Sequence, residues 1–282
     1  MKQIALAAGL IGLLCAGAAT ADDPSWAQPH EPYRIAGNVY YVGTAGIGVY
    51  LVETPKGDIL LDAGPEGATD IVEGNIAALG VRLTDIKYLI ETHAHYDHIG
   101  GMARLKHDTG AIFIASRGDR LALEHGRHVG DNINGVGTFP PVRVDRIIGE
   151  GGTVSLGGVV LTAHMTPGHT PGCTMWTTTV DDGGHRRKIL FWGSATTAGN
   201  VLVHNKTYPG IVADYRLTFR RLKTLKADIL VANHPDFADM EAKYQRQKAG
   251  ETGAFVDPAA LPKLVAQSQA DFEAELKKEG GR

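Results

Sequence analysis

Three histidines and one aspartate stand within six consecutive positions near the middle of the chain, in the run His93-Ala-His-Tyr-Asp-His98. Clustering so many polar groups is costly in a folded protein unless they share a ligand such as a metal ion. The run follows Ile86-Lys-Tyr-Leu-Ile90, a short apolar segment that predicts a buried β-strand. The chain must therefore fold so that the end of a buried strand opens into a polar, metal-binding loop.

Two further histidines also follow strand-like segments. They are His169, in Thr166-Pro-Gly-His-Thr-Pro-Gly172, and His234, in Val231-Ala-Asn-His-Pro235. Loops at strand ends are where layered scaffolds assemble their sites. Imidazole and carboxylate groups suit zinc, whereas calcium and magnesium require mostly oxygen ligands. We therefore expect two zinc ions that share a bridging hydroxide, with ligands drawn from His93, His95, Asp97, His98, His169 and His234.

The remaining histidines are isolated in the sequence and are interpreted as surface or satisfied core residues. They are His30, His107, His125, His128, His164, His185 and His204. Only His125 is left open, because it adjoins residues 126–141, which contain turn residues but little periodicity. An irregular loop is often functional when it lies near a site. We expect this loop and residues 200–208 to influence the choice of substrate.

Strand-like and helix-like segments alternate from about Arg34 onward. Two rounds of strands followed by helices predict an α/β fold, a four-layer αβ/βα sandwich in which two central mixed β-sheets are flanked by helices. No linker interrupts residues 22–282, which are predicted to form a single domain. Strands are predicted over residues 39–42, 48–52, 58–62, 86–90, 111–115, 154–166, 173–180, 188–192 and 229–232. Helices are predicted over residues 68–79, 102–109, 116–124, 215–225 and 261–278.

The first 21 residues have the pattern of a secretory signal peptide. Lys2 supplies a positive charge, an apolar stretch of about a dozen residues ends at Cys15, and Ala19-Thr-Ala21 offers a small-x-small cleavage site. The apolar stretch is short for a membrane span, and a buried N-terminal helix is the alternative interpretation. We expect cleavage after residue 21 and export to the periplasm, with no membrane anchor in the mature chain.

The charge and cysteine content narrow the range of partners. A formal net charge of −3 provides no basic face for nucleic acid, so a small-molecule substrate is expected. We also expect the protein to be a monomer. Loss of Cys15 with the signal peptide would leave Cys173 alone, without an internal disulfide. Its neighbours predict a buried, inert thiol, with zinc ligation or nucleophilic catalysis as the alternatives.

The motif residues resemble those of the metallo-β-lactamase superfamily. The resemblance is carried by Thr92-His-Ala-His-Tyr-Asp-His98, by the preceding Leu60-Leu-Asp-Ala-Gly64 and by Gly168-His169, and it covers the chain from about Trp26 to the last helix. This superfamily also contains glyoxalase II, lactonases, ribonuclease Z and flavodiiron proteins. The histidine run by itself therefore indicates the fold and the metal but not the substrate.

The residue at position 194 distinguishes between the branches of this superfamily. In the glyoxalase, lactonase and nuclease branches, the strand that here reads Ile189-Leu-Phe-Trp-Gly193 is followed by a metal-bridging aspartate, and in two lactamase subclasses by a cysteine ligand. A serine at this position, together with His98 directly after Asp97 and His234 late in the chain, is similar to subclass B3 of the class B β-lactamases. The segments 166–174 and 210–216 are also similar to that subclass.

The resemblance implies a role for each motif residue. His93, His95 and His169 would hold the first zinc ion, and the second would be held by Asp97, His98 and His234. Ser194 would hydrogen-bond a metal-bound water, and Thr196 would meet the carboxylate of the substrate, with plain loop packing as the alternative for both hydroxyls. Asp62 would orient the site, although a turn or capping role is equally compatible with its position.

The function implied is hydrolysis of the β-lactam amide of penicillins, cephalosporins and carbapenems by a metal-bound hydroxide, which would confer antibiotic resistance. Asp97 would orient the second zinc ion, which would stabilise the departing nitrogen. No Gly-x-Ser-x-Gly nucleophile motif is present in the sequence, in agreement with a mechanism that needs no covalent intermediate. The alternatives are a zinc hydrolase of another ester, lactone or thioester, and a non-catalytic zinc-binding periplasmic protein.

Overall fold

The computed structural model describes residues 23–281, and the predicted signal peptide lies outside this range. Two β-sheets form the centre of the fold, as the sequence predicts. The first sheet has seven strands that neighbour one another in chain order: β1 (Tyr33–Ala36), β2 (Val39–Tyr41), β3 (Tyr50–Val52), β4 (Asp58–Leu61), β5 (Ile86–Ile90), β6 (Ile112–Ser116) and β7 (Arg146–Ile148). This sheet is mixed, because β1 to β4 pair antiparallel and β4 to β7 pair parallel.

The second sheet has five strands. They are β8 (Thr153–Leu156), β9 (Val159–Met165), β10 (Thr174–Asp182), β11 (His185–Trp192) and β12 (Ile229–Ala232). Their order across the sheet is β12-β11-β10-β9-β8, and only the β11–β12 pair is parallel. Since β9 and β11 are both antiparallel to β10, the strands β9, β11 and β12 run in the same direction. Their carboxyl ends therefore lie at one edge of the sheet.

Helices cover the outer faces of the two sheets. The α-helices are α1 (Thr69–Ala78), α2 (Tyr96–Ile99), α3 (Met102–Thr109), α4 (Arg120–His125), α5 (Ile211–Leu222), α6 (Met240–Lys248) and α7 (Ala260–Lys278). Short 3₁₀ turns occupy Pro24–Ala27, Glu66–Ala68, Leu83–Asp85 and Pro235–Ala238. Within residues 23–281, no helix combines the length and the apolar character that crossing a membrane requires.

Two apolar cores explain this layering. Alternate residues of the first sheet point to opposite faces: Ile59 and Ile90 pack towards the second sheet, whereas Leu60 and Leu89 pack in the cluster that includes α1 and α3. The larger core also holds Trp176, which is fully buried, and extends to residues of α5 and α7. Both sheets are thus covered on both faces, which confirms the predicted four-layer sandwich.

The structure corrects several predicted element boundaries. The strand predicted over residues 154–166 is two strands, because Gly157 and Gly158 both adopt positive φ angles (+55° and +93°) and form the hairpin turn between β8 and β9. The helix predicted from residue 116 begins only at Arg120, and the helix predicted over 215–225 is α5. The strands β1 and β7 and the helix α6 were not predicted.

Candidate functional site

Strand ends of both sheets converge on one site. The loop after β5 carries His93, and the short helix α2 that follows it carries Asp97 and His98. The loop after β9 carries His169, and β12 ends two residues before His234. The structure brings the predicted ligands together in two groups. In each group, every residue offers one potential ligand atom, and these atoms all lie within 4.8 Å of one another. The groups are His93, His95 and His169, the first cluster, and Asp97, His98 and His234, the second cluster.

The turn that presents His169 depends on glycine. Gly168 has a φ of +138°, and a Cβ at this position would collide with the ring of Tyr215. A Cβ on Gly172, at the other end of the same loop, would collide with Ser116 and Asp119. The segment Thr166-Pro-Gly-His-Thr-Pro-Gly172 is therefore shaped by close backbone approach at both ends, which fixes where the imidazole between them can lie.

Hydrogen bonds define which nitrogen of each ring faces the first cluster. His169 Nδ1 donates to the carbonyl oxygen of Thr196 at 2.8 Å, so its Nε2 carries a lone pair. The hydroxyl of Thr92 donates to Asp62, so its oxygen accepts from His93 Nδ1 at 3.1 Å, and His93 Nε2 also carries a lone pair. The two Nε2 atoms lie 3.2 Å apart. Two lone pairs repel each other at this distance unless a cation lies between them, so the donor set fits a metal ion.

The third ring of the first cluster is held by a residue that the sequence did not single out. His95 Nε2 lies 2.8 Å from His128 Nδ1, and the two ring centroids are 4.7 Å apart. We interpreted His128 from the sequence as a surface or satisfied core residue; in the structure it is partly buried and contacts a predicted ligand directly. The histidine that was left open, His125, is exposed at the end of α4. No local pattern distinguishes the two, because the contact joins positions 33 residues apart.

The second cluster is built around one carboxylate. Asp97 Oδ2 lies 3.0 Å from His98 Nε2 and 3.4 Å from His234 Nε2, and the two nitrogens are 3.2 Å apart. The side-chain amide of Asn233 lies 3.3 Å from His98 Nε2. His98 is fully buried, whereas 25% of the His234 side chain is exposed. Oxygen and imidazole ligands in this arrangement suit zinc or a similar divalent ion.

Burial sets the protonation of the site. It lowers the pKa of His93 and His95 well below the usual value and that of His169 to about 3, so these rings are neutral at neutral pH. Neutral imidazole is the form that binds metal. Burial alone would raise the pKa of Asp97, but His98 and His234 hold it well below its usual range. The first cluster therefore offers three neutral imidazoles, and the second offers an ionised carboxylate beside His98, whose pKa burial also lowers.

Two buried carboxylates outside the clusters, those of Asp62 and Asp119, hydrogen-bond to the loops that carry the ligands. Asp62 accepts hydrogen bonds from both the backbone nitrogen and the hydroxyl of Thr92, at 2.7 Å each, and thus holds the residue that precedes His93. Burial raises the pKa of Asp62 to about 8, although the bonds from Thr92 oppose this rise. A carboxylate in such surroundings gains from a positive charge nearby. Asp62 is therefore also suited to a site that holds cations.

Asp119 joins the two loops of the first cluster. Its Oδ2 accepts from the backbone nitrogen of Ala94 at 3.0 Å and from the Thr170 hydroxyl at 2.7 Å, and its Oδ1 accepts from the backbone nitrogen of Gly172 at 2.8 Å. Ala94 stands between His93 and His95, and Thr170 follows His169. This residue is fully buried, which raises its pKa to about 6, and the sequence did not predict its role.

The predicted hydroxyl residues lie beside the first cluster. Ser194 Oγ is 3.1 Å from Thr196 Oγ1 and accepts from the backbone nitrogen of Thr196 at 3.3 Å. The carbonyl oxygen of Thr196 accepts from His169 and also from the Tyr215 hydroxyl at 2.7 Å. Cys173 is a free, buried thiol whose pKa is raised by burial, as expected for an inert cysteine. Ser194 is buried and Thr196 is partly exposed.

Aromatic side chains border the second cluster. The ring of Trp26 lies 5.5 Å from that of His234 and 6.2 Å from that of Tyr96, and the ring of Phe237 lies 5.6 Å from that of His234. Trp26 belongs to the 3₁₀ turn at the start of the described chain. These rings form an apolar wall, against which the non-polar part of a small molecule can pack.

Comparison with known proteins agrees with this geometry. Residues 43–234 match the sequence profile of the metallo-beta-lactamase superfamily. The structure is similar to BJP-1, a subclass B3 metallo-beta-lactamase of Bradyrhizobium japonicum, with 44% identity, a TM-score of 0.86, and coverage of 91% of this chain and 97% of BJP-1. It is also similar to native FEZ-1 metallo-beta-lactamase from Legionella gormanii, with 36% identity, a TM-score of 0.86, and coverage of 90% and 98% of the two chains.

The curated relatives are more distant. A probable metallo-hydrolase of Burkholderia pseudomallei is 29% identical over 59% of this chain and 57% of its own length. A hydroxyacylglutathione hydrolase of Rhodospirillum rubrum is 27% identical over 52% of this chain and 46% of its own length. The chain thus spans about half the length of these two relatives. Since the superfamily profile covers most of the chain and the similarity to solved structures covers nearly all of it, the chain belongs to the metallo-beta-lactamase superfamily and groups with its subclass B3 members.

Proposed function

We propose that this chain is a zinc-dependent β-lactamase that opens the β-lactam amide of penicillins, cephalosporins and carbapenems. One observation carries the proposal. The six ligand residues form two separate clusters of three, while the second position after β11 holds Ser194, whose hydroxyl bonds to Thr196. The near full-length similarity to BJP-1 and FEZ-1, which are named as metallo-beta-lactamases, supports the same function.

Each cluster would hold one zinc ion. His93, His95 and His169 would bind the first ion and Asp97, His98 and His234 the second, because these residues place lone pairs and a carboxylate within reach of a common point. Zinc bound in such sites supplies Lewis acidity and a nucleophilic water at neutral pH. The non-catalytic alternative is disfavoured, since a structural zinc is usually enclosed by four protein ligands and each cluster here provides three.

Asp97 is the catalytic carboxylate of this proposal. It stays ionised at neutral pH, because His98 and His234 outweigh the effect of burial on its pKa. A carboxylate with such a low pKa is a weak base. Its contribution is therefore to accept a hydrogen bond from the attacking water and orient it, and to fix the position of the second cation, rather than to retain the proton.

The hydroxyls of Ser194 and Thr196 would contact water and substrate. Ser194 Oγ is buried and fixed by Thr196, which suits it to hydrogen-bond a water molecule at the site. Thr196 is partly exposed, and its Oγ1 can donate to the carboxylate that β-lactams carry beside the ring nitrogen. The aromatic wall around Trp26 and Tyr96 would pack against substrate side groups and exclude bulk water from them.

The proposed function includes export of the chain to the periplasm. We infer from the charged and apolar pattern of residues 1–21 that the chain reaches the periplasm, where a β-lactamase intercepts antibiotics before they reach cell-wall enzymes. Expression in a susceptible bacterium should then raise the inhibitory concentration of β-lactams. Deletion of residues 2–21 should abolish this protection without reducing activity in the cell lysate.

A second candidate function is hydrolysis of a thioester. The similarity to hydroxyacylglutathione hydrolases, such as the protein of Rhodospirillum rubrum, favours this alternative. The match covers only about half of either chain, however, and the resemblance of the motifs places a metal-bridging aspartate in that branch where this chain has Ser194. We therefore rank thioester hydrolysis below β-lactam hydrolysis.

A substrate panel separates these functions. The purified chain with zinc should hydrolyse nitrocefin, benzylpenicillin and a carbapenem, and should turn over a glutathione thioester and a homoserine lactone poorly. A zinc chelator should abolish turnover, whereas a serine-directed acylating inhibitor should leave it intact. Faster turnover of the thioester or lactone than of every β-lactam would overturn the proposal.

A further inference from the structure

The structure assigns a role to His128: we propose that it positions His95, so that His95 Nδ1 faces the first metal ion. This inference rests on the part of the proposed function that places a metal at the first cluster, and it is independent of the substrate. His128 Nδ1 lies 2.8 Å from His95 Nε2, which is within hydrogen-bonding distance. Within residues 23–281, this is the histidine outside the two clusters that makes direct contact with one of the proposed ligands.

The three rings of the first cluster share one arrangement. In each ring one nitrogen is held by a neighbouring protein group: Nδ1 of His93 by Thr92 and Nδ1 of His169 by the carbonyl of Thr196. For these two rings, Nε2 is the nitrogen that faces the cluster. His95 is reversed, because its Nε2 is held by His128. The nitrogen left for the metal is therefore Nδ1.

The chemistry of a ligating histidine explains why a partner is needed. Such a ring usually donates the proton of its second nitrogen to an acceptor, which fixes its tautomer and orientation. Thr196 provides a carbonyl oxygen for His169, and Thr92 a hydroxyl oxygen for His93. Neutral His128 provides the lone pair of Nδ1 in the same way, as acceptor of the Nε2 proton of His95.

The backbone around His128 is fixed on both sides. On one side, the nitrogen of Arg127 donates to the carbonyl of Ala122 in α4 at 3.1 Å. On the other side, the carboxylate of Asp131 accepts from the backbone of Lys206 and from the Thr207 hydroxyl, at 2.7 Å each. The loop 126–141 is thereby tied to the segment 200–208, so that the ring of His128 is held against His95 by contacts on both flanks.

Packing alone would not require a histidine here. The other ring nitrogen, Nε2, is also buried, and burying a polar group has a free-energy cost that an apolar group does not have. An apolar residue of similar size would fill the same space without this cost. If His128 positions His95, zinc affinity should depend on a hydrogen-bond acceptor at position 128, and only one of the two metal ions should be affected. Neither result is expected if His128 only fills space.

Three variants test the proposal with metal affinity as the readout. His128→Ala removes the acceptor, His128→Asn restores an oxygen acceptor on a shorter side chain, and His125→Ala is the matched control, three residues earlier and exposed. Zinc binding to the metal-depleted proteins is measured by competition with a chromophoric chelator. Circular dichroism and Tm confirm that each variant is folded.

We expect His128→Ala to weaken binding of one zinc ion by about 10- to 100-fold and to leave the other unchanged. His128→Asn should recover most of this loss, and His125→Ala should bind both ions like the native protein. In the cobalt-substituted protein, the exchangeable N–H proton of His95 should exchange faster with solvent in His128→Ala. Native affinity for both ions in His128→Ala, or equal losses in folded His128→Ala and His128→Asn, would overturn the proposal.

These measurements need no β-lactam, so the role of His128 and the proposed β-lactam substrate can be tested separately. Selective loss of one ion in His128→Ala, in a protein that hydrolyses no β-lactam, would support the role of His128 and contradict the proposed substrate. Native affinity for both ions in His128→Ala, in a protein that does hydrolyse β-lactams, would contradict the role of His128 alone.

Discussion

The two clusters of ligand residues differ in how firmly the surrounding protein holds them. In the first cluster, every ring has one nitrogen bound by a neighbour and all three residues are at least 94% buried. In the second cluster, His98 Nδ1 is buried without a hydrogen-bond partner among the described residues, and a quarter of the His234 side chain is exposed. Each ring of the first cluster is fixed by a group outside it, whereas the shortest side-chain polar contacts of the second cluster join its own members.

This difference indicates an order of binding. Ligands that are already held in place lose little conformational freedom when an ion binds, so they bind it more tightly. The first cluster has this property, because Asp119 connects both of its loops and Asp62 holds Thr92 beneath His93. The second cluster must fix His234 on binding. We therefore expect the first cluster to bind zinc more tightly than the second.

The largest expected effect comes from removing one ligand of each cluster. His169→Ala should lower kcat by about 10³-fold or more, because loss of a metal removes several kcal/mol of transition-state stabilisation. His234→Ala should keep the first zinc ion and a measurable part of the activity. Metal content per chain and kcat for nitrocefin test this comparison. Equal losses of metal and activity in the two variants would show that the clusters do not differ.

A smaller effect is expected from the carboxylate that joins the two loops. Asp119→Asn keeps the shape of the side chain, but its amide nitrogen cannot accept a hydrogen bond. Depending on how the amide is oriented, either the two bonds donated by Ala94 and Thr170 or the one donated by Gly172 is lost. The affinity of the first cluster should fall by about 10-fold, while that of the second stays the same.

Asp145→Asn is the matched control for this variant. Asp145 also bonds a backbone nitrogen, that of Phe113 in β6, and it forms an ion pair with Lys106, but within residues 23–281 it has no hydrogen bond to a ligand loop. Zinc competition should show native affinities in this control. If Asp119→Asn and Asp145→Asn bind both ions equally well, Asp119 has no part in preparing the first cluster.

The smallest effects are expected at the two hydroxyls. Thr196→Ala should raise KM about 10-fold with little change in kcat, since a hydrogen bond to a charged group contributes roughly 1.5 kcal/mol. The backbone carbonyl that holds His169 stays in place, so both zinc ions should remain bound. Ser194→Ala should lower kcat a few-fold. Loss of metal from either variant would show that these hydroxyls support the cluster rather than contact the substrate.

The sequence predicted those features that depend on local pattern. Alternating apolar segments indicated the sheets, and the spacing of His93, His95, Asp97 and His98 indicated the ligands. Both signals lie within short stretches of consecutive residues. The turn at Gly157 and Gly158 was missed, since a glycine pair inside an apolar run is compatible with a strand until its φ angles are known.

The residues that support the ligands could not be predicted in the same way. Asp119 and His128 act through contacts with Ala94 and His95, 25 and 33 residues away. Nothing in the segments Ser116-Arg-Gly-Asp119 or His125-Gly-Arg-His128 distinguishes these side chains from surface residues. Their partners depend on how β5, β6 and α4 pack, which is a property of the folded chain.

The most direct test of the account is to titrate zinc into the metal-depleted protein and follow binding by calorimetry and nitrocefin hydrolysis in parallel. The account predicts two binding events per chain whose affinities differ by at least about 10-fold, the tighter of which is lost in His169→Ala, and hydrolysis that appears only as zinc is added. Undiminished hydrolysis by the metal-depleted protein, or zinc binding unaffected by both His169→Ala and His234→Ala, would contradict the account.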